Sequence, residues 1–135
     1  MLSDQRGTQV AKTVIQTSNA PEAVGAYSQA VSANGLVFCS GQIALTADGS
    51  DKTTDSIAEQ TRQCLTNLQA VLGEAGTGLD NAVKVTAFLT DMADFVEFNE
   101  VYAGFFTGDV PARVTVGVAA LPKGARVEVE CIALA

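Results

Sequence analysis

Between Ile57 and Thr90 the apolar residues change period, and this change constrains the fold more than any other feature of the chain. Ile57, Thr61, Cys64, Leu65, Leu68, Val71, Leu72 and Ala75 recur at spacings of three and four, which predicts an amphipathic helix over residues 56–75. Ser56, with Glu59 three residues on, can form a capping box, and Gly76 and Gly78 supply a stop. The next segment, NAVKVTAFLTD, alternates Val83, Val85, Ala87 and Leu89 against Lys84, Thr86, Phe88 and Thr90, the two-residue period of a strand. A helix and a strand, each apolar on one face, follow one another and must bury those faces.

The flanking segments extend the pattern. KTVIQT reads as a short strand, followed by the turn-rich SNAPEAVGAYSQ. VSANGLVFCSGQIAL predicts a hairpin about Asn34-Gly35, because that dipeptide suits a two-residue turn with positive φ. TADGSDKTTD is loop by composition. Asp91 is a suitable cap for a second helix over residues 92–106, whose Phe95, Phe98, Tyr102, Phe105 and Phe106 would fasten it to the sheet. Two more strands, VPARVTVGV and RVEVECIAL, close the chain.

This order predicts an α/β fold, an open sheet with both helices on one face. If Val114, Val116 and Val118 face the helices, Arg113, Thr115 and Gly117 face away. In the last strand Val127, Val129, Cys131 and Ala133 would face the helices, leaving Glu128, Glu130, Ile132 and Leu134 on the bare side. That strand becomes apolar on both sides toward its end, as expected of a central strand covered twice. With no third helix to cover the bare face, a second copy of the chain is the expected cover, giving a homo-oligomer.

Composition limits the chemistry. The 135 residues suit a single domain, 1–135, with residues 1–11 as a loose lead-in. The first twenty residues are polar, so neither a signal peptide nor a membrane span is expected, and the expected location is cytoplasmic. Cys39, Cys64 and Cys131 are odd in number and lack CxxC spacing, so they read as reduced core residues rather than a disulfide framework or metal site. A net charge of −7 disfavours nucleic acid as a partner, since a polyanion would be repelled. The chain has no histidine, so any acid–base work falls to carboxylate, Arg, Lys, Tyr, hydroxyl or thiol.

Three charged residues stand among the apolar positions of the last two strands. Arg113 is either a strand-end arginine pairing with a surface acid or a carboxylate clamp, because guanidinium presents a fixed fork of donors to two oxygens. Glu128 and Glu130 are either ion-pair partners of Arg126 or Lys123, a role that suits Glu130 better, or carboxylates able to orient a water and accept its proton.

The ordered set APEAVGAYSQAV, FCSGQI, NLQAVLGEAG, KVTAFLTDMADFVEFNEVYAGFF, VPARVTV and LPKGARVEVECIAL resembles the RidA (YjgF-like) family of reactive-intermediate deaminases over residues 14–135. The resemblance implies a chorismate-mutase-like fold, a mixed sheet with two helices on one face, assembled as a homotrimer with inter-subunit clefts. It further implies cofactor-independent, metal-free hydrolysis of 2-imino acids and their enamine tautomers to 2-oxo acids and ammonia. Matched motif by motif, Arg113 of PAR would bind the substrate carboxylate and Glu128, the first acid of VEVE, would position the water. Tyr27 of GAYSQ, Ser40 and Gly41 of SGQ, Asn99 of FNEVY and Thr115 of RVTV would line the cleft, Tyr27 either as a hydrogen-bond donor or as an interface aromatic.

The chain departs from the family pattern at Ala26, where Gly-Pro-Tyr is usual, at Val114, and at Ala44, and these bear on the rigidity of the site and its substrate range. The alternative reading is a non-catalytic trimeric module binding small carboxylates, which would use Arg113 without needing Glu128. RNA cleavage is disfavoured by the charge and the lack of histidine. A holdase role is neither supported nor excluded.

Overall fold

The computed structural model describes residues 11–135, so the lead-in expected over residues 1–11 falls, all but its last residue, outside them. β1 (Thr13–Ile15), β2 (Ala30–Ala33) and β3 (Leu36–Gln42) run antiparallel in succession. The β2–β3 turn is the expected one: Asn34 and Gly35 have φ of 52° and 77°, both in the region such a turn requires. β4 (Ala82–Leu89), β5 (Ala112–Gly117) and β6 (Val127–Leu134) complete a six-stranded sheet in the order β1-β2-β3-β6-β4-β5. The β4–β5 pair is parallel and the rest antiparallel, so the sheet is mixed. β6 is central, as its two-sided apolar sequence predicts.

Helix α1 (Ile57–Glu74) packs on β3 and β6 and buries Ile57, Cys64, Leu65, Leu68, Val71 and Leu72, the face expected from its period. Ser56 Oγ accepts from Glu59 N at 3.2 Å, half of the capping box; the Glu59 carboxylate instead holds Arg62 Nη1 at 2.6 Å. Two buried polar residues on α1 were not anticipated. Gln60 donates to Thr53 O (3.0 Å) and Asp55 O (2.9 Å) and accepts from Arg126 N (3.0 Å), so it ties the helix start to the entry of β6. Asn67 donates to Leu45 O at 2.8 Å and fixes the segment that leaves β3. With these bonds made, burying both amides is not penalised.

The second helix is shorter than expected. Asp91 caps a 3₁₀ turn, Met92–Asp94, by accepting from Ala93 N at 2.9 Å, and α2 proper is Phe95–Ala103. Phe105 and Phe106 lie past its end. Phe98 is fully buried and Tyr102 nearly so, and α2 packs against α1 on the same side of the sheet.

Two strand faces differ from expectation. In β4 the register slips between Ala82 and Lys84, so Ala82 is buried and Val83 is exposed; Val85, Ala87 and Leu89 are buried as expected. In β5 the faces are reversed. Arg113 pairs with Val85 and Thr115 with Ala87, both helix-facing, so Arg113, Thr115 and Gly117 lie on the helix side. Val114 and Val116 point to the bare side, where they are 44% and 37% exposed. β5 is an edge strand beside α2, and α2 offers Arg113 a polar and aromatic seat that outweighs burying two valines there.

The bare face of the sheet also presents Val14, Phe38 and Leu134, all exposed, with Glu128, Glu130 and Ile132 beside them. An apolar sheet face of this kind marks an interaction surface. No helix among the described residues is long and apolar enough to cross a membrane.

Candidate active site

Of the seven residues singled out in the sequence, six fall into two groups on opposite faces of the sheet, and Tyr27 lines a cleft of its own. The first group is built on β5 and α2. Arg113 Nη1 donates to Asn99 Oδ1 at 2.7 Å, and its Cζ lies 4.7 Å from the Tyr102 ring centroid and 5.5 Å from that of Phe95. A cation over two aromatic faces gains about 0.5–2 kcal/mol per contact, more where water is excluded. The guanidinium is therefore held by one edge and its faces, and among the described residues its other donors make no hydrogen bond. Thr115, two residues along the same face, has a buried hydroxyl with no partner among the described residues. A recess of about 340 Å³ opens here, lined by Asn99, Tyr102, Phe106, Val110, Pro111 and Arg113.

The second group is built on β3, β6 and the loop before β2. β3 bulges between Cys39 and Gln42, and the bulge carries Ser40 and Gly41 against β6. The Glu128 side chain lies directly over Gly41: a methyl group added at Gly41 would overlap Glu128 Oε2 and stand 2.9 Å from its carboxyl carbon. The carboxylate occupies the space a side chain would take, so glycine leaves Glu128 where it is. Ser40 Oγ donates to Ser28 O at 2.6 Å and its N to Gln29 O at 3.0 Å, which joins β3 to the loop bearing Tyr27.

That loop is held from within. Gln29 accepts from Thr17 N at 2.7 Å and donates to Pro21 O at 2.8 Å, bonds that tie the end of the loop to residues 17–21. Tyr27 is 55% exposed and lines a separate cleft of about 400 Å³ with Val14, Thr17, Glu22 and Ser28.

Burial raises the Glu128 carboxyl above its ordinary value, and repulsion from Glu130 two residues along the same face adds to this. The pairing expected for Glu130 is not the one made by Arg126, whose Nη2 binds Asp94 Oδ1 at 2.8 Å. Alternation along the two strands predicts Arg113 and Glu128 on one face; the register of β5 separates them. Phe95 and Tyr102, expected only to fasten the helix to the sheet, both cradle Arg113. Their spacing of seven residues, with Asn99 midway on the same helix face, was the available signal.

Residues 17–135 match the protein family described as Endoribonuclease L-PSP. The chain belongs to that family, the RidA (YjgF-like) proteins. A RutC family protein, y4sK, of Sinorhizobium fredii is 48% identical over 118 residues, covering 87% of this chain and 94% of the relative. The 2-iminobutanoate/2-iminopropanoate deaminase of Rattus norvegicus is 44% identical over 125 residues, 93% of this chain and 91% of its own. Among solved structures, the Rid family protein YyfA of Yersinia pestis superposes with a TM-score of 0.89 at 50% identity, covering 93% of this chain and all of that one. The mixed sheet with two helices is thus a RidA-family fold, and the residues of both groups lie inside the matched span.

Proposed function

We propose that this chain is a 2-imino acid deaminase of the 2-iminobutanoate/2-iminopropanoate type, working as a homotrimer in the cytoplasm. The observation that carries the reading is the pairing of a carboxylate of raised pKa, Glu128, with a side-chain-free position, Gly41, on the face of the sheet left open to a second copy. A deaminase-named relative at 44% identity supports it.

The two residue groups are complementary in chemistry and sit on opposite faces, so one chain does not join them. A neighbouring copy laid on the open face would bring its own Arg113 edge to the Glu128 group, and a closed ring of three would make three such sites. Arg113 then grips the substrate carboxylate with the donors that Asn99 leaves free. Asn99, Phe95 and Tyr102 act as positioning residues for it. Thr115 contributes its unpartnered hydroxyl beside the carboxylate, and Ser40, Gly41 and Tyr27 bound the reacting carbon on the other side.

The chemistry asks for little else. A protonated imine is already electrophilic, so anchoring the acid and holding a water 3 to 3.5 Å or so from the carbon supplies much of the rate. Glu128 accepts the proton of the attacking water, for which a raised carboxylate pKa is an advantage. The carbinolamine then collapses, the C–N bond breaks, and ammonia leaves as the carbonyl forms.

The test adds purified protein to a dehydratase acting on serine or threonine and follows decay of the imine it releases. Acceleration over buffer is expected, and its absence refutes the proposal. Glu128→Ala should keep binding of a 2-oxo acid while losing turnover; binding in both proteins with turnover in neither would favour the carboxylate-binding module instead.

A further inference from the structure

Cys39 and Cys131 stand directly opposite one another on β3 and β6, both facing α1. The parity of the ladder fixes the kind of pair. Ala135 N donates to Gly35 O at 2.9 Å, so residues 35 and 135 form a hydrogen-bonded pair, and every second pair, 37 with 133 and 39 with 131, is of the same kind. Such partners have Cα atoms about 5.5 Å apart, within the roughly 4.4–6.8 Å span that a disulfide bridges. Both thiols are free, 8% and 3% exposed, and they lie on the helix side, away from the face proposed to meet another copy.

We propose that Cys39 and Cys131 form a reversible cross-strand dithiol–disulfide couple that locks β3 to β6 beside the Gly41–Glu128 contact. Cys39 immediately precedes the bulge residues Ser40 and Gly41, and Cys131 follows Glu128 by three. Closing the bond draws two β-carbons from the spacing of a hydrogen-bonded pair toward about 3.8 Å, which twists the strands where the carboxylate crosses the glycine. The strain keeps the bond reducible.

The oxidant is a small hydroperoxide, hydrogen peroxide being the simplest. The more exposed Cys39 sulfur attacks one peroxide oxygen, the O–O bond breaks, and Cys39 becomes a sulfenic acid as water leaves. The Cys131 sulfur then attacks the Cys39 sulfur, the S–O bond breaks, and a second water departs, so two thiols and one peroxide give one disulfide and two waters. The neighbouring Cys39 thiol and burial push the Cys131 thiol up. The step is therefore slow and selective for small oxidants. Cys64 takes no part: it is fully buried on α1 and directs its thiol at Val127 O, 3.8 Å away.

The full chain, reduced and then treated with hydrogen peroxide, is expected to lose the mass of two hydrogens without unfolding. Trypsin should then release residues 13–52 joined to residues 127–135, with Cys64 alkylatable in its own peptide. The link should be absent in Cys39→Ser and intact in Cys64→Ala. Three alkylatable thiols after treatment, or a link through Cys64, would overturn the couple. The effect on turnover rests on the deaminase reading: the oxidised protein should lose about ten- to a hundredfold in rate, as misplacement near 1 Å does, and dithiothreitol should restore it. Unchanged turnover in the linked protein would overturn the lock. An inactive reduced protein would overturn the deaminase reading instead, because the mass and peptide results do not depend on activity.

Discussion

Gly41→Ala separates folding from chemistry at one atom. The backbone at Gly41 lies outside the left-handed region, so alanine fits without strain. The added carbon instead meets Glu128, with the carboxyl carbon at 2.9 Å and Cγ at 3.1 Å, both inside ordinary contact distance. Glu128 is a flexible, half-buried side chain on the open face and can swing aside, so the stability cost is small and is offset by the roughly 0.4–1 kcal/mol that alanine gains over glycine through the unfolded chain. Chemistry has no such compensation. Moving the carboxylate by about 1 Å costs on the order of a hundredfold in kcat/KM, or about 2.7 kcal/mol of transition-state stabilisation. The assay pairs thermal unfolding with imine decay in the wild type, Gly41→Ala, Glu128→Ala and the double variant. Melting should stay within a few degrees, turnover should fall about a hundredfold in Gly41→Ala, and the double variant should be no worse than Glu128→Ala alone. Additive losses, or an active Gly41→Ala, would refute the claim that Gly41 is there to admit the Glu128 carboxylate.

Arg113→Lys should raise KM strongly because a point charge cannot bridge both Asn99 and a carboxylate, and Asn99→Ala should raise it less, both read from imine kinetics. Since burial and Glu130 raise the Glu128 carboxyl, the acid limb of kcat/KM should lie above the usual carboxylate range, and Glu130→Gln should move it down by removing the like charge. The same shift bears on folding: a carboxyl raised in the folded state contributes stability present below its unfolded pKa and lost as pH rises through the folded one. Glu128→Gln should flatten that decline in melts from acid to neutral pH. Val116→Glu, placing charge on the open sheet face, should convert the proposed homotrimer to monomers in sedimentation while leaving the monomer folded. Phe98→Ala, at a fully buried aromatic, should cost about 3–5 kcal/mol in denaturant unfolding.

Much of the architecture was legible because period and turn chemistry are local. Asn34-Gly35 announces its turn, the three-and-four spacing of α1 announces its buried face, and the two-sided apolar end of β6 announces a central strand. The faces of β5 were not legible. Alternation sorts Arg113, Thr115 and Gly117 from Val114 and Val116 but does not say which set meets the helices, and the valines were assigned inward on hydrophobicity alone. The outcome turned on a non-local partner, the Asn99–Tyr102 side of α2, which reaches Arg113 only after folding. Val83 was misplaced for a related reason, since a one-residue slip against β6 leaves no mark on the composition of β4. The site residues were legible as types and motifs, but their division between two faces was visible only once the register was known.

The sheet order has a consequence for biosynthesis. The β1–β3 meander and the β4–α2–β5 unit never pair with each other; within the sheet they are joined only by β6, which is made after both. As the chain leaves the ribosome these two pieces present open edges that nothing yet bridges, and assembly waits on the arrival of residues 127–134. A nascent chain stalled short of that point would carry two unpaired sheet edges, so occupancy by a folding helper should be greatest just before β6 emerges.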